Sequence, residues 1–119
     1  MRTTSTWVYK HWGEFKESVE VQDEIVVVWQ RAPGGFKPIA VAMSPARWET
    51  TARKLGMDPE ALTELPGSDF RPQLSTVWKD AQRGIPSAAM YYGRPALVMA
   101  PIAVLPDDHE DLQPEAKPA

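Results

Sequence analysis

The feature that most constrains the fold of this chain is a short pattern that occurs twice. A basic residue, a proline and an apolar run follow one another in KPIAV (residues 37–41) and again in RPALV (residues 94–98). Each copy stands after a glycine-containing turn and an earlier apolar run. Apolar runs on both sides of such a turn predict a β-hairpin. The sequence therefore predicts two hairpins, the first of them over residues 25–43.

Each predicted hairpin also follows a segment with helical periodicity. Apolar residues recur at three- and four-residue steps before both hairpins, at Trp12, Phe15 and Val19 and at Leu74, Val77 and Ala81. This spacing predicts amphipathic helices. The order helix, strand, turn, strand therefore appears over residues 11–43 and again over residues 71–102. A duplicated unit explains the repetition, and a chance similarity between two hairpins is the alternative.

The segments outside these two copies carry their own signals. TSTWVY (residues 4–9) is predicted to form a short strand. The Ser-Pro pair at 44–45 has the residue types of a helix N-cap and first helical position, and predicts a helix that ends at Gly56. The Asp-Pro pair at 58–59 repeats that start signal. Residues 59–65 are therefore predicted to form a brief helix before a linker.

The second copy resembles the Phd/YefM antitoxins, the prevent-host-death family. The pattern of that family is an Arg-x-x-Leu helix, a glycine-containing turn, a strand, and then Gly-Arg-Pro before an apolar strand. Here it is matched by RPQL (residues 71–74), Gly84, MYY (residues 90–92) and GRP (residues 93–95). The first copy resembles the same pattern more weakly, through EIVVVWQR and KPIAVAMSPARWE.

The resemblance implies an α+β fold built from two helix–β-hairpin units. Because members of the family pair as dimers, two units in one chain imply a single-chain pseudo-dimer, with one shared antiparallel sheet packed by helices on one side. The expected divisions are residues 1–57 for the first half with its following helix, 58–69 for a short helix and linker, 70–106 for the second half, and 107–119 for an acidic tail that is disordered in isolation.

The resemblance also implies that the protein binds operator DNA and represses its own operon. In the second half, four cations lie within 24 residues that contain one acid, Asp80. In the family, the helix that opens at Arg71 here faces DNA. The expected DNA-binding residues are Arg71, Lys79, Arg83 and Arg94 in the second half, and Lys10 and Lys16, together with His11, in the first. Two such faces would suit two half-sites of an operator. The alternative is that these are ordinary surface cations.

The C-terminal segment is the candidate site for a protein partner. Residues 107–119 hold five acids and one lysine, whereas the rest of the chain is nearly neutral. In antitoxin terms, this tail would extend over a toxin and occlude its active site. The expected partner-binding residues are Asp107, Asp108, Glu110, Asp111 and Leu112. The alternatives are a tail that shields the DNA-binding face of its own domain, and a solubilising end.

The residue types argue against catalysis. The chain has no cysteine, its two histidines stand near opposite ends, and neither glycine-containing turn continues into the Gly-Lys-Ser/Thr of a phosphate loop. His109 and the acids around it lack the spacing of a metal site, and a solvated tail is the simpler interpretation. We therefore expect no enzyme activity, no cofactor and no metal.

Patterns typical of secretion and of membrane insertion are not expected either. The N-terminus has no continuous apolar run, and the longest apolar runs are too short to span a membrane. We expect a cytoplasmic protein, as a monomeric pseudo-dimer or a homodimer. The leading hypothesis is an antitoxin-like transcriptional repressor that binds operator DNA and neutralises a cognate toxin. The alternative is a non-catalytic interaction or accessory protein of a phage or plasmid, with the same fold and no DNA binding.

Overall fold

One β-sheet forms the centre of the molecule. The structure is a computed structural model that describes residues 1–114. Its strands are β1 (Arg2–Thr4), β2 (Val26–Ala32), β3 (Gly35–Met43), β4 (Thr63–Pro66), β5 (Ser87–Tyr91) and β6 (Arg94–Ala100). Their order across the sheet is β1-β2-β3-β6-β5-β4. The α+β class is confirmed, and so are both predicted hairpins, β2–β3 and β5–β6.

The edge strands make this sheet mixed, whereas the sequence resemblance predicts an antiparallel sheet. β1 pairs in parallel with β2, and β4 pairs in parallel with β5, while the three inner pairs are antiparallel. Each parallel pair is joined through helices, because neighbouring parallel strands need a crossover connection and a tight turn cannot supply it. The prediction is therefore wrong at both edges and right for the four inner strands.

Within residues 1–114, five helices connect and cover the strands. They are α1 (Ser5–Lys10), α2 (Trp12–Lys16), α3 (Pro45–Lys54), α4 (Gly67–Phe70) and α5 (Leu74–Gln82), with a π-helical turn at Glu17–Val21 and 3₁₀ turns at Ile102–Val104 and Glu110–Leu112. The Ser44 hydroxyl accepts the N–H of Arg47 at 3.2 Å, so the predicted start of α3 is confirmed. Within residues 1–114, no helix is both long and apolar enough to cross a membrane.

The brief helix predicted over residues 59–65 is wrong. A carboxylate oxygen of Asp58 accepts the N–H of Glu60 at 2.9 Å, which closes a turn and does not continue into a helix. The chain then extends as β4, whose ladder with β5 supplies partners for its backbone groups. Pro66 is tolerated at the end of this strand because β4 lies at the edge of the sheet.

The strand predicted over residues 4–9 is also wrong, since this segment forms α1. The Thr4 hydroxyl accepts the N–H of Trp7 at 3.1 Å and caps the helix, which buries Val8. Serine and threonine favour such caps because the side-chain oxygen replaces a missing backbone partner. The strand itself lies earlier, at β1.

Helices cover both faces of the sheet, whereas the resemblance implies helices on one side. Successive side chains of a strand point to opposite faces, so a strand that is buried throughout needs a cover on each. In β2, Val26 and Val28 join the core with α1, α2, α4 and α5, and Val27 and Trp29 join the core with α3 and the C-terminal segment. We call these the first and the second face.

The repeated proline marks the same irregularity in both hairpins. Trp29 pairs with Pro38 and Met90 pairs with Pro95, and in each ladder the register shifts by one residue beside the proline. Proline has no N–H to donate to a ladder, so it is found at bulges and edges. The repeated basic–Pro–apolar pattern is therefore a pair of equivalent β-bulges.

β3 and β6 join the two hairpins at the centre of the sheet. Ala42 pairs with Met99, and the neighbouring pairs are Val41 with Ala100 and Met43 with Val98. The series of parallel and antiparallel pairings is therefore the same from either edge. We call β1–β3 with α1 and α2 the first unit, and β4–β6 with α4 and α5 the second unit.

Candidate nucleic-acid interface

A groove of about 340 Å³ separates α1 from the segment where α4 leads into α5, on the first face of the sheet. Among the described residues that line it are two cations, Lys10 of the first unit and Arg71 of the second, and no acid. The hydroxyl-bearing residues Ser5, Thr6 and Ser75 line it as well. Cationic and hydroxyl groups are those that proteins direct at phosphate oxygens. The fold thus brings together two predicted DNA-binding residues that are distant in sequence.

Arg71 joins the two walls of this groove. Its Nε donates to the main-chain carbonyl of Tyr9 at 2.9 Å, and its guanidinium carbon lies 4.9 Å from the centroid of the Tyr9 ring. A guanidinium carries five N–H donors, so the bond to Tyr9 uses one of them. The side chain is exposed. Arg71 can therefore fix the groove and bind an anion at the same time.

The helix α5 continues this surface as a row of exposed polar and basic side chains. Ser75 and Lys79 are neighbours on the surface of α5, Arg71 lies in the turn before this helix and Arg83 is its C-cap; all four side chains are exposed. We call Arg71, Ser75, Lys79 and Arg83 the basic stripe. Asp80 is half-buried and belongs to a different face of the helix. The stripe extends the positive charge of the groove to the C-terminal end of α5.

The other predicted DNA-binding residues lie away from the groove. Arg94 is exposed at the start of β6, opposite Tyr91 in the ladder. Lys16 is half-buried, with its ammonium 4.4 Å from the centroid of the Tyr91 ring. His11 stacks on Trp7, with ring centroids 5.1 Å apart. Lys16 is thus a contact between the two units, and Arg94 belongs to a hairpin turn.

The acidic segment that is expected to bind a partner packs partly against its own fold. The Asp111 carboxylate contacts the N-terminal ammonium of Met1 at 2.8 Å, and the Asp111 carbonyl accepts the indole N–H of Trp29 at 3.0 Å. Leu112 is half-buried against the core of the second face. The three remaining residues of the predicted set are exposed: Asp107, Asp108 and Glu110.

These contacts determine which surface the segment covers. Leu105 and Leu112 belong to the core of the second face, while the groove and the basic stripe lie on the first. Residues 107–114 therefore do not shield the candidate DNA-binding surface. Residues 115–119 of the predicted tail lie outside the described residues.

Glu20 has a pKa above the ordinary value of a glutamate. Burial raises it by disfavouring the charged carboxylate, and the nearby Lys16 ammonium opposes this effect. The Oε2 atom is buried with no hydrogen-bond partner among the described residues. Glu20 does not line the groove, so this shift follows from packing at the interior end of the first helical segment. Within residues 1–114, no three metal-ligating side chains are close enough to hold one ion.

Sequence reasoning missed most of the uncharged residues of the groove. Ser75 stands midway between Arg71 and Lys79 at four-residue spacing, so the helix periodicity was a usable signal for it. Tyr9 and Thr6 had no such signal, because they meet Arg71 only through the packing of the two units against each other.

Comparison with known proteins adds no relative to this description. The chain matches no protein-family model, no curated protein and no solved structure. The groove and the basic stripe are therefore the observations from which a function can be argued.

Proposed function

We propose that this protein is an antitoxin-like transcriptional repressor of the cytoplasm, and that its groove and basic stripe bind operator DNA. One observation carries the proposal. Lys10 and Arg71 line the same groove although they are distant in the chain. From there, Lys79 and Arg83 extend the positive charge along α5. The resemblance to the Phd/YefM antitoxins supports the same function.

The physical basis of the proposal is the charge of the DNA backbone. Lysine and arginine side chains that neutralise phosphates release condensed counterions, and this release drives much of the binding. The major groove of B-DNA is wide enough to admit an α-helix such as α5. Because the net charge of the chain is −3, its overall field gives no attraction to DNA. Binding would come from the local charge of the groove and the basic stripe, and be sensitive to salt.

The proposal includes a single-chain pseudo-dimer of two Phd/YefM-like units. The bulge in each hairpin makes Pro38 correspond to Pro95, and Ala42 therefore corresponds to Met99. Ala42 and Met99 also pair with each other at the centre of the sheet. Corresponding residues meet in this way on the axis of a twofold arrangement. The pairing supports two units related by an approximate twofold axis.

Toxin neutralisation is the second part of the proposal. Asp107, Asp108 and Glu110 are exposed and suited to a basic partner. Asp111 and Leu112 contact the first unit, so a toxin that uses them has to displace these contacts. The Asp111 carboxylate is half-buried, so a toxin that binds it has to offset the ion pair with Met1, the hydrogen bond from the Trp29 indole and the burial of Leu112.

The alternative function is an interaction or accessory protein of the same fold, without DNA binding. Tyr92 favours it, because this aromatic side chain is wholly exposed in the β5–β6 turn. Exposed aromatic residues are common anchors of protein–protein interfaces. The two functions differ in what they require of the basic stripe, which only the DNA-binding function uses.

The test is a fluorescence anisotropy titration with a labelled duplex taken from immediately upstream of the protein's own gene, at about 50 mM and about 200 mM salt. Lys79→Ala is expected to weaken binding about threefold to tenfold at the lower salt, and to reduce the slope of log affinity against log salt by about one. Lys79 is preferred to Arg71 because Arg71 also joins the walls of the groove.

Lys54→Ala is the matched control. It removes an exposed lysine from the last turn of α3, on the opposite face of the sheet, and is expected to bind as the wild type does. Circular dichroism melts establish that both variants fold. If the folded wild-type protein fails to bind DNA even at about 50 mM salt, the repressor function is wrong and the interaction protein replaces it.

A further inference from the structure

We infer that the DNA-binding face is one-sided, so that one chain engages a single half-site of a non-palindromic duplex. The inference rests on the proposed function and specifies its ligand. Two units in one chain lead to the expectation of two equivalent faces and a symmetric operator. The residues that the fold places at corresponding positions of the two units contradict that expectation.

The correspondence between the two helical segments follows from the edge strands. Thr4 pairs with Trp29 in the first unit, and Pro66 pairs with Met90 in the second. Trp29 and Met90 are themselves equivalent, since each lies opposite the proline of its hairpin bulge. The helix α1 begins directly after Thr4, and α4 begins directly after Pro66. The two helical segments can therefore be matched residue by residue from these points.

Burial agrees with this correspondence. Val8 then corresponds to Phe70, and both are fully buried. Phe15 corresponds to Val77, and both are buried in the core of the first face. The agreement holds at these core positions and not at every position, since the half-buried Lys16 corresponds to the buried Trp78; the exposed positions are compared on the same alignment.

The basic stripe has a counterpart in the first unit that carries no positive charge. The residues that correspond to Arg71, Ser75, Lys79 and Arg83 are Tyr9, Gly13, Glu17 and Val21. All four of these counterparts are exposed. Where the second unit presents basic side chains to solvent, the first presents an aromatic ring, a bare backbone, a carboxylate and an apolar side chain. Glu17 and Val21 lie in the π-helical turn of the first unit, whereas Lys79 lies in α5 and Arg83 caps it, so the correspondence is one of chain position, and the exposed surfaces differ in charge.

The groove lies where the two segments meet. Tyr9 and Arg71 occupy corresponding positions and contact each other, so the approximate twofold axis passes between them. DNA centred on the groove meets Lys79 on one side of the axis and Glu17 on the other. A carboxylate facing phosphates is repulsive, because like charges raise the energy of the complex. Lys10 lines the groove itself, and Lys16 is held over Tyr91.

The consequence is a protected DNA segment on one side of the centre of the site. Symmetric dimers of helix-turn-helix type contact two half-sites about one helical turn apart. A chain with one basic stripe neutralises phosphates of one half-site only. The duplex that it prefers therefore has no requirement for inverted repeats.

The test is hydroxyl-radical footprinting on the duplex from immediately upstream of the gene, with the wild type, Glu17→Lys and Glu60→Lys. Wild type is expected to protect one segment. Glu17→Lys restores a cation at the position of Lys79 and is expected to add a second protected segment about 10 base pairs away. It should also tighten binding at least about threefold at about 50 mM salt, with a salt slope steeper by about one.

Glu60→Lys is the control for net charge. It makes the same charge change at an exposed residue that lines a groove beside α3, on the second face, and should leave the footprint unchanged. Two equal protected segments in the wild type, or equal effects of the two substitutions, would overturn the inference and leave DNA binding intact. A folded protein that protects no DNA at all would overturn the proposed function, and the inference with it.

Discussion

The two units share a backbone plan and differ in the segments that follow them. Each consists of a parallel edge strand, a helical segment and a hairpin with a bulge opposite its proline. After β3 the chain forms the helix α3, whereas after β6 it forms a short 3₁₀ turn and the acidic segment. The strands and bulges of the shared sheet therefore correspond in the two units. The segments that pack on the sheet do not correspond.

Each of these following segments covers the other unit. The helix α3 follows the first unit and packs on β6 of the second. The C-terminal segment follows the second unit and packs on the first, where the indole N–H of Trp29 donates to Asp111. Because α3 and the C-terminal segment pack on different units, the two segments need not resemble each other. This difference in packing also predicts that the two covers contribute unequally to stability.

The largest expected effect is on stability, when a buried side chain is removed from α3 or from the C-terminal segment. Trp48 on α3 is 2% exposed, and its indole N–H donates to the Pro59 carbonyl at 2.9 Å. Counted from the paired prolines, its counterpart in the C-terminal segment is Leu105, which is 9% exposed. Trp48→Ala is expected to lower the free energy of unfolding by about 3–5 kcal/mol, and Leu105→Ala by about 2 kcal/mol. Urea denaturation measures both.

Trp48→Phe separates the hydrogen bond from the packing. It retains an aromatic ring and removes the donor, and is expected to cost about 1–2 kcal/mol. If Leu105→Ala destabilised the protein as much as Trp48→Ala, the C-terminal segment would be as strong a cover as α3. The inequality between the covers would then be wrong.

Local signals in the sequence predict the two hairpins and the helix α3. Glycine turns, β-branched runs and the Ser44 cap predict both hairpins and α3, because these depend on residues near one another in the chain. The edge strands β1 and β4 are short and gain their backbone partners only from β2 and β5. Local pattern cannot reveal such strands, and the Asp-Pro pair at 58–59 therefore predicts a helix start where the structure has a turn.

The candidate site shows the same division. The spacing of Arg71, Lys79 and Arg83 by multiples of four residues is present in the sequence, and all three side chains are exposed in the structure. The position of Lys10 beside Arg71 depends on how the two units pack, and so does the capture of Lys16 by Tyr91. The clustering of charge in the sequence therefore identifies candidate DNA-binding cations. It does not show which of them line the groove.

A packing contact between Gly67 and Tyr91 distinguishes the second unit from the first. Gly67 begins α4 and is buried, and a Cβ atom added there would overlap the ring of Tyr91. The first unit has Ser5 and Gln30 at the corresponding positions. Gly67→Ser is expected to lower the free energy of unfolding by about 1–3 kcal/mol, because the ring has to leave its place between Gly67 and Lys16.

A double-mutant cycle shows whether the ring is the cause. With Tyr91→Gln in the background, which copies the pair of the first unit, Gly67→Ser is expected to cost less than about 0.5 kcal/mol. Chemical denaturation of the four proteins gives the coupling. The same cost of Gly67→Ser in both backgrounds would show that the strain has another source than Tyr91.

The smallest effect concerns charge, at the position where the first unit has Glu20 and the second has Gln82. Burial raises the pKa of Glu20 in the folded protein above the ordinary value of 4.5, with Lys16 opposing the shift. Below that value the carboxyl is protonated in both states and costs nothing. As the pH rises, the unfolded chain loses the proton first, so stability falls until the folded protein ionises too.

Glu20→Gln removes this loss, and its melting temperature should exceed that of the wild type by a margin that grows from about pH 4 to about pH 7. A margin that is constant with pH would instead assign the difference to the packing of the amide, and the two units would then differ at this position in shape and not in charge.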